Sequence, residues 1–225
     1  LDANTSGAQN SALGKEALGA NQTGDDNTAI GYAALLVNTA SDNTAVGSLS
    51  LDANVAGAQN TAVGRGSLSS NVSGDESTAV GYQALALNTA SDNTAVGSLA
   101  LDANTSGTSN TAVGKSALSA SQTTNESTAV GYFALALNTA ANNTAVGSVA
   151  LDANTSGTQN TAVGKSALSA VVSEDDNTAV GYNALVLNTA ANNTAVGSAS
   201  LDANTSGAQN SALGKEALGA NQTGD

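Results

Sequence analysis

The chain has 225 residues, four tyrosines and one phenylalanine, with no tryptophan, methionine, proline, cysteine or histidine. A compact core needs large side chains to fill it, so an apolar 40% made mostly of Ala, Val and Leu predicts a thin core in an elongated repeat fold. A net charge of −13 with five cations excludes phosphate-neutralising nucleic-acid binding and disfavours anionic lipid; it suits a repetitive object that must stay soluble.

Other chemistries fall away on residue type. Without cysteine there is no disulfide framework, and without cysteine and histidine no Ser-His-Asp, Cys-His or ordinary zinc site. No run of about 18 apolar residues is available to insert into a bilayer. The glycine that closes each N-T-A-V-G motif recurs once per repeat, without the strand–loop–helix setting of a nucleotide-binding fingerprint. No cofactor is implied.

In chain order, the pattern N-T-A-V-G-x-x-A-L-x-x-N opens at Asn10, Asn27, Asn43 and Asn60. It continues from Ser77, Asn93, Asn110, Ser127, Asn143, Asn160, Asn177 and Asn193, and opens for the last time at Asn210. The steps run 17, 16 and 17 residues, nesting thirteen short units in a 50-residue super-repeat. Three kinds of unit alternate by the residue after the glycine. One carries a cation (Lys15, Arg65, Lys115, Lys165, Lys215), one a tyrosine (Tyr32, Tyr82, Tyr132, Tyr182) and one a serine followed by Leu-Asp-Ala-Asn. Residues 1–25 return letter for letter as 201–225. The expectation is one continuous segment, 1–225, cut from a longer tandem array.

Gly and Asn in every unit and the lack of a 3.6-residue apolar period argue against helices. Two short strands per unit fit better: Thr-Ala-Val-Gly, with a bend at residues such as Gly97, and the stretch around Ala-Leu. The expected fold is all-β, a parallel β-solenoid with 16–17-residue coils stacked about 4.8 Å apart. Identical residues then form columns, and Asn104, Asn138 and Asn154 belong to one whose amides bond along the stack.

Strand alternation puts Thr94 and Val96 on one side and Ala95 and Gly97 on the other. In the second strand Leu101 and Ala103 share a face opposite Ala100. Because the Leu position is Leu in every unit, the Val/Leu face is the expected interior. Ala95, Gly97 and Ala100, with Ala145 and Gly147, would then line an outer face of small apolar residues, the candidate interface with identical chains. Tyr32, Tyr82, Tyr132 and Tyr182 have two readings: rings covering the junction between subunits with a wet hydroxyl, which is favoured, or exposed adhesive contacts.

Units Asn93–Gly97 and Ser127–Gly131, with Ala-Leu three to four residues after the glycine, resemble the head repeats of trimeric autotransporter adhesins. The longer NTAVGYxAL form is similar to repeats of bacteriophage tail-fibre and surface-fibre proteins. The resemblance covers essentially the whole chain, through a short motif. It implies a YadA-like left-handed parallel β-roll, trimerisation, and a place outside the cell, on its surface or on a virion fibre. These coils are longer than those usual in the heads, and Thr stands where the heads often carry an apolar residue.

The paired acids Asp25–Asp26, Asp75–Glu76 and Glu174–Asp175–Asp176 read as solvated turn charges. Calcium is the alternative, but the acids do not recur at fixed positions and no G-G-x-G-x-D repeat is present. The Thr column at Thr28, Thr44, Thr61, Thr78, Thr94 and Thr111 reads as Thr–Thr packing, with ice binding as a sharper rival. The expected function is therefore non-enzymatic: the stiff repetitive shaft of an extracellular fibre, assembled from identical chains and attaching to a host, prey or surface receptor. The alternative is a ligand-binding solenoid that takes ice or a glycan on a repeated flat face.

Overall fold

Each N-T-A-V-G unit contributes one three-residue strand. The chain divides into two units, Leu1–Asn110 and Thr111–Asp225, in a computed structural model that describes residues 1–224. The first unit holds β1 (Ser11–Leu13), β2 (Thr28–Ile30), β3 (Thr44–Val46), β4 (Thr61–Val63), β5 (Thr78–Val80) and β6 (Thr94–Val96). The second holds β7 (Thr111–Val113), β8 (Thr128–Val130), β9 (Thr144–Val146), β10 (Thr161–Val163), β11 (Thr178–Val180), β12 (Thr194–Val196) and β13 (Ser211–Leu213). Within each unit consecutive strands pair in parallel and like residues meet: Thr44 faces Thr61 and Ala45 faces Ala62, just as Thr161 faces Thr178. One strand per 16 or 17 residues makes each repeat one coil of a parallel β-solenoid, as the periodicity requires.

The glycine ends the strand for a steric reason. Gly47 has a φ of 137°, a conformation open to glycine and strained for other residues. A Cβ there would stand 2.5 Å from the carbonyl oxygen of Gly64 in the next coil. Backbone stacks on backbone at this corner, and the missing side chain permits it.

The second expected strand does not form. The second residue after the glycine and the invariant leucine both take left-handed backbone, as at Leu99 (φ 57°) and Leu101 (φ 51°), while Ala100 between them does not. Left-handed residues at alternate positions curl a chain where a strand would extend it. The curled segment still bonds from coil to coil, with Leu68 N–H donating to Ala84 O at 3.1 Å.

The expected strand faces are reversed. Ala95 and Ala145 lie fully buried inside the coil, as does Ala100, while Val96 and Val146 point outward and are each 38% exposed. Gly97 and Gly147 are part of the stacked backbone corner and half-buried. Ala95, Ala100 and Ala145 therefore offer nothing to a neighbouring chain, and the small-residue face assigned to subunit contact is core. The cause is volume. Each coil is too thin for two large side chains, and one fully buried leucine (Leu68, Leu85, Leu101 and their equivalents) occupies its interior. Alanine is the residue that fits opposite.

The rest of the interior is polar. Asn43, Asn60, Asn160 and Asn177 are fully buried just before their strands. In this column the Asn43 side-chain oxygen accepts from the Asn60 N–H at 3.0 Å, and its amide donates to Gly57 O at 2.9 Å. A second column runs past the leucine, where Asn154 donates to Asn138 Oδ1 at 2.7 Å and Asn104 to Asn88 Oδ1 at 2.6 Å. Each amide thus closes a turn of its own coil and ties it to the next.

Candidate functional site

The outward side of the strands is a regular surface that repeats in every coil. Alternation places Thr and the third strand residue on it together. In the first unit Val63, Val80 and Val96 are 36–38% exposed, and Val146, Val163 and Val180 match them in the second. The threonines between are half-buried in all but Thr194. No strand residue carries a charge, so the face is an array of methyls and hydroxyls repeating at coil spacing.

The sequence held a signal for this face that hydropathy obscures. All thirteen units keep alanine in mid-strand, whereas the third position is Leu13, Ile30, valine or Leu213. A position that accepts three shapes and two sizes lies outside; one that accepts only alanine lies within.

At the strand's C-terminal edge, the residue after the glycine forms the column that carries the chain's cations and tyrosines. Tyr32, Tyr82, Tyr132 and Tyr182 are 46–54% exposed along this edge. Lys15 Nζ stands 5.8 Å from the centre of the Tyr32 ring in the next coil, within reach of a cation–π contact. Tyr132 meets Phe133 edge-on at 4.5 Å. The Tyr column therefore flanks the Thr/Val face and lies outside it.

The turn acids divide into two groups. Asp25 and Asp75 accept from the backbone N–H of Ala8 and Ala58 at 2.7 and 2.8 Å, and Asp175 accepts from the Thr158 N–H at 2.6 Å. These carboxylates join coils 17 residues apart, a structural duty the turn reading did not foresee. Among the described residues no group of three or more His, Cys, Asp or Glu is placed to hold a metal ion.

The aspartates of Leu-Asp-Ala-Asn behave differently. Burial pushes the carboxyls of Asp52, Asp102 and Asp152 above their ordinary 3.8, against a smaller opposite pull from backbone N–H groups. For Asp52 and Asp102 the Oδ1 atom is buried without a hydrogen-bond partner. At Glu174 the balance is reversed. Burial raises its pKa, but the N–H groups of Ser173, Val172 and Glu174 itself, with the Ser173 hydroxyl, hold it below the ordinary value.

A pH dependence follows from the three aspartates. Their folded pKa values are raised, so the folded chain binds these protons more tightly, and stability falls as pH rises from 3.8 through the raised values. The triple variant Asp52→Asn, Asp102→Asn, Asp152→Asn escapes that loss. It is expected to melt above the native chain at about pH 7, with the gap narrowing towards about pH 4. Melting curves at both pH values check this; a gap that stays constant contradicts it.

No family model matches the chain, and no curated protein or solved structure does.

Proposed function

We propose that the chain is the repetitive shaft of an extracellular fibre, built from identical chains that join through the Thr/Val faces of their strands. The carrying observation is the rank of outward valines, uncharged and repeated coil after coil. A single exposed valine is ordinary, but a column of outward valines repeated along a sheet face is a surface that proteins cover. A second copy is the natural cover, since its face has the same repeat and meets the first in register over every coil.

The fibre reading draws on the resemblance to adhesin heads and phage fibres and on the parallel solenoid coils. A left-handed trimer is the form that resemblance favours. In it the chain acts mechanically, by holding a terminal or distributed recognition site away from the surface that bears it. The absence of His and Cys from the sequence supports a non-enzymatic role.

The test places charge on the face. Val63→Lys, Val80→Lys and Val96→Lys together are expected to leave the circular dichroism spectrum intact and to release single chains in sedimentation velocity. If the triple-lysine variant sediments as the native chain does, the Thr/Val face is not the contact.

One observation favours a second reading. Thr and Val recur side by side on the same face at coil spacing, a regular hydroxyl–methyl array of the kind that orders water. If the native chain keeps this face bare, thermal hysteresis in a freezing assay is the expected result, and ice replaces a second copy as the partner.

A further inference from the structure

One coil breaks the pattern of the edge column and opens a groove. The second position after the glycine carries a side chain in twelve of thirteen units, among them Glu16, Leu49, Gln83 and Asn183; in the fourth it is Gly66. A Cβ built on Gly66 would meet only Gln83 Cγ, at 3.5 Å, and otherwise open space. The space left is a cavity of about 330 Å³ spanning three consecutive coils of the first unit, lined by Asp52, Arg65, Gly66, Ser69, Tyr82 and Gln83 among others.

We propose that this groove binds a neutral saccharide. Three features of its lining select that class. Tyr82 offers a ring 46% exposed, an aromatic surface on which the C–H face of a pyranose can lie. Asp52 brings a carboxylate to the lining, an acceptor for hydroxyl donors in the groove. Arg65 brings up to five N–H donors, and neither an ion pair nor a hydrogen bond occupies them among the described residues. Strong acceptor, multiple donors and aromatic surface together suit a molecule whose hydroxyls both donate and accept.

Charge narrows the class further. At a net −13 the chain repels anions over long range. Inside the groove the opposite charges of Arg65 and Asp52 offset each other, so the lining carries no net charge to favour an ion of either sign. A neutral polyhydroxyl ligand needs no such charge. The volume fits one or two sugar rings at the lower end of the usual range for small-ligand sites. The groove belongs to one chain and flanks the Thr/Val face, so the proposal stands apart from the fibre reading and holds for a monomer as well.

The test uses lactose, maltose and cellobiose with the native chain, read by saturation-transfer NMR and titration. Tyr82→Ala removes the ring. Gly66→Gln fills the groove with a side chain that the fold already carries at the equivalent Gln83, where φ is 52°. The expected result is saturation transfer to at least one of the three sugars, with affinity about tenfold weaker in each variant and melting temperatures within about 4 °C of the native chain's. No transfer from the native chain to any of the three sugars, or unchanged affinity in either variant, overturns the proposal.

Discussion

Gly47→Ala is expected to destabilise the first unit by about 3 kcal/mol or more, from backbone strain and overlap together. The new methyl would adopt a φ of 137° and stand 2.5 Å from Gly64 O and 2.7 Å from Gly64 C. Neither neighbour is a flexible side chain that can swing away. Gly64 is itself stacked on Gly81 in the same manner, with its own added Cβ 2.3 Å from Gly81 O. Relief at one coil transfers the conflict to the next. Gly66→Ala is the control, because at a φ of 65° its Cβ meets open space and alanine, glutamine and serine already occupy equivalent left-handed positions at Ala33, Gln83 and Ser116. Its cost should stay near 1 kcal/mol or below. Urea denaturation of both variants separates them; equal losses would show that the glycine corner has room to adjust.

Asn160→Ala has the second large effect, expected at about 2–5 kcal/mol. The Asn160 oxygen accepts from the Asn177 N–H at 3.0 Å, and its amide donates to Glu174 O at 2.7 Å. Truncation leaves both backbone groups without their protein partner and opens a hole where the side chain was fully buried. The chain itself indicates a partial rescue. Ser127 stands in this column, and its Oγ still accepts from the Asn143 N–H, though at 3.4 Å. Asn160→Ser should therefore lose clearly less than Asn160→Ala in the same urea titration. A loss below about 1 kcal/mol for the alanine variant would mean that water restores both bonds, and the buried column would not be what ties coils together.

The two asparagine columns differ in tolerance for a related reason. Asn160 satisfies backbone groups of its own coil and of its neighbour. The second column bonds chiefly along itself and back to its own turn, as Asn154 does to Asn138 Oδ1 and Gly157 O. There Val171 replaces asparagine outright, and the Glu174 carboxylate takes the Val172 and Ser173 N–H groups at 3.0 Å each. The turn has a local substitute close to full strength; for the link between coils the chain offers only the longer serine contacts, Ser127 to the Asn143 N–H at 3.4 Å and Ser77 to the Asn93 N–H at 3.3 Å.

The period was legible because every coil repeats the same demands in the same order. Steps of 16 and 17 residues, a glycine corner and recurrent asparagine were enough to give a parallel solenoid with residue columns. The strand faces were not legible from hydropathy, which ranks Val96 above Ala95 for the interior. Volume decided otherwise, since Leu101 fills the coil. The second strand failed for a different reason. Left-handed backbone at Leu99 and Leu101 costs energy locally and persists through stacking on like residues above and below, which local propensity does not register.

The candidate surfaces show the same division. That Tyr82 and Arg65 share one edge followed from their common place after the glycine. That Asp52 reaches the same groove, and that Gly66 opens it, required the coil offsets of the folded chain. Gly66 stands out within its own column, but a column reveals only that a side chain is missing. The stacking of coils shows what the gap exposes.

Sedimentation equilibrium of the native chain tests the assembly most directly. A chain whose Thr/Val faces are covered by copies of itself has a solution mass that is a whole multiple of 21.5 kDa, with three the multiple the fibre reading favours. A mass of 21.5 kDa at every concentration that stays soluble would mean that the face remains bare, and would contradict assembly through it.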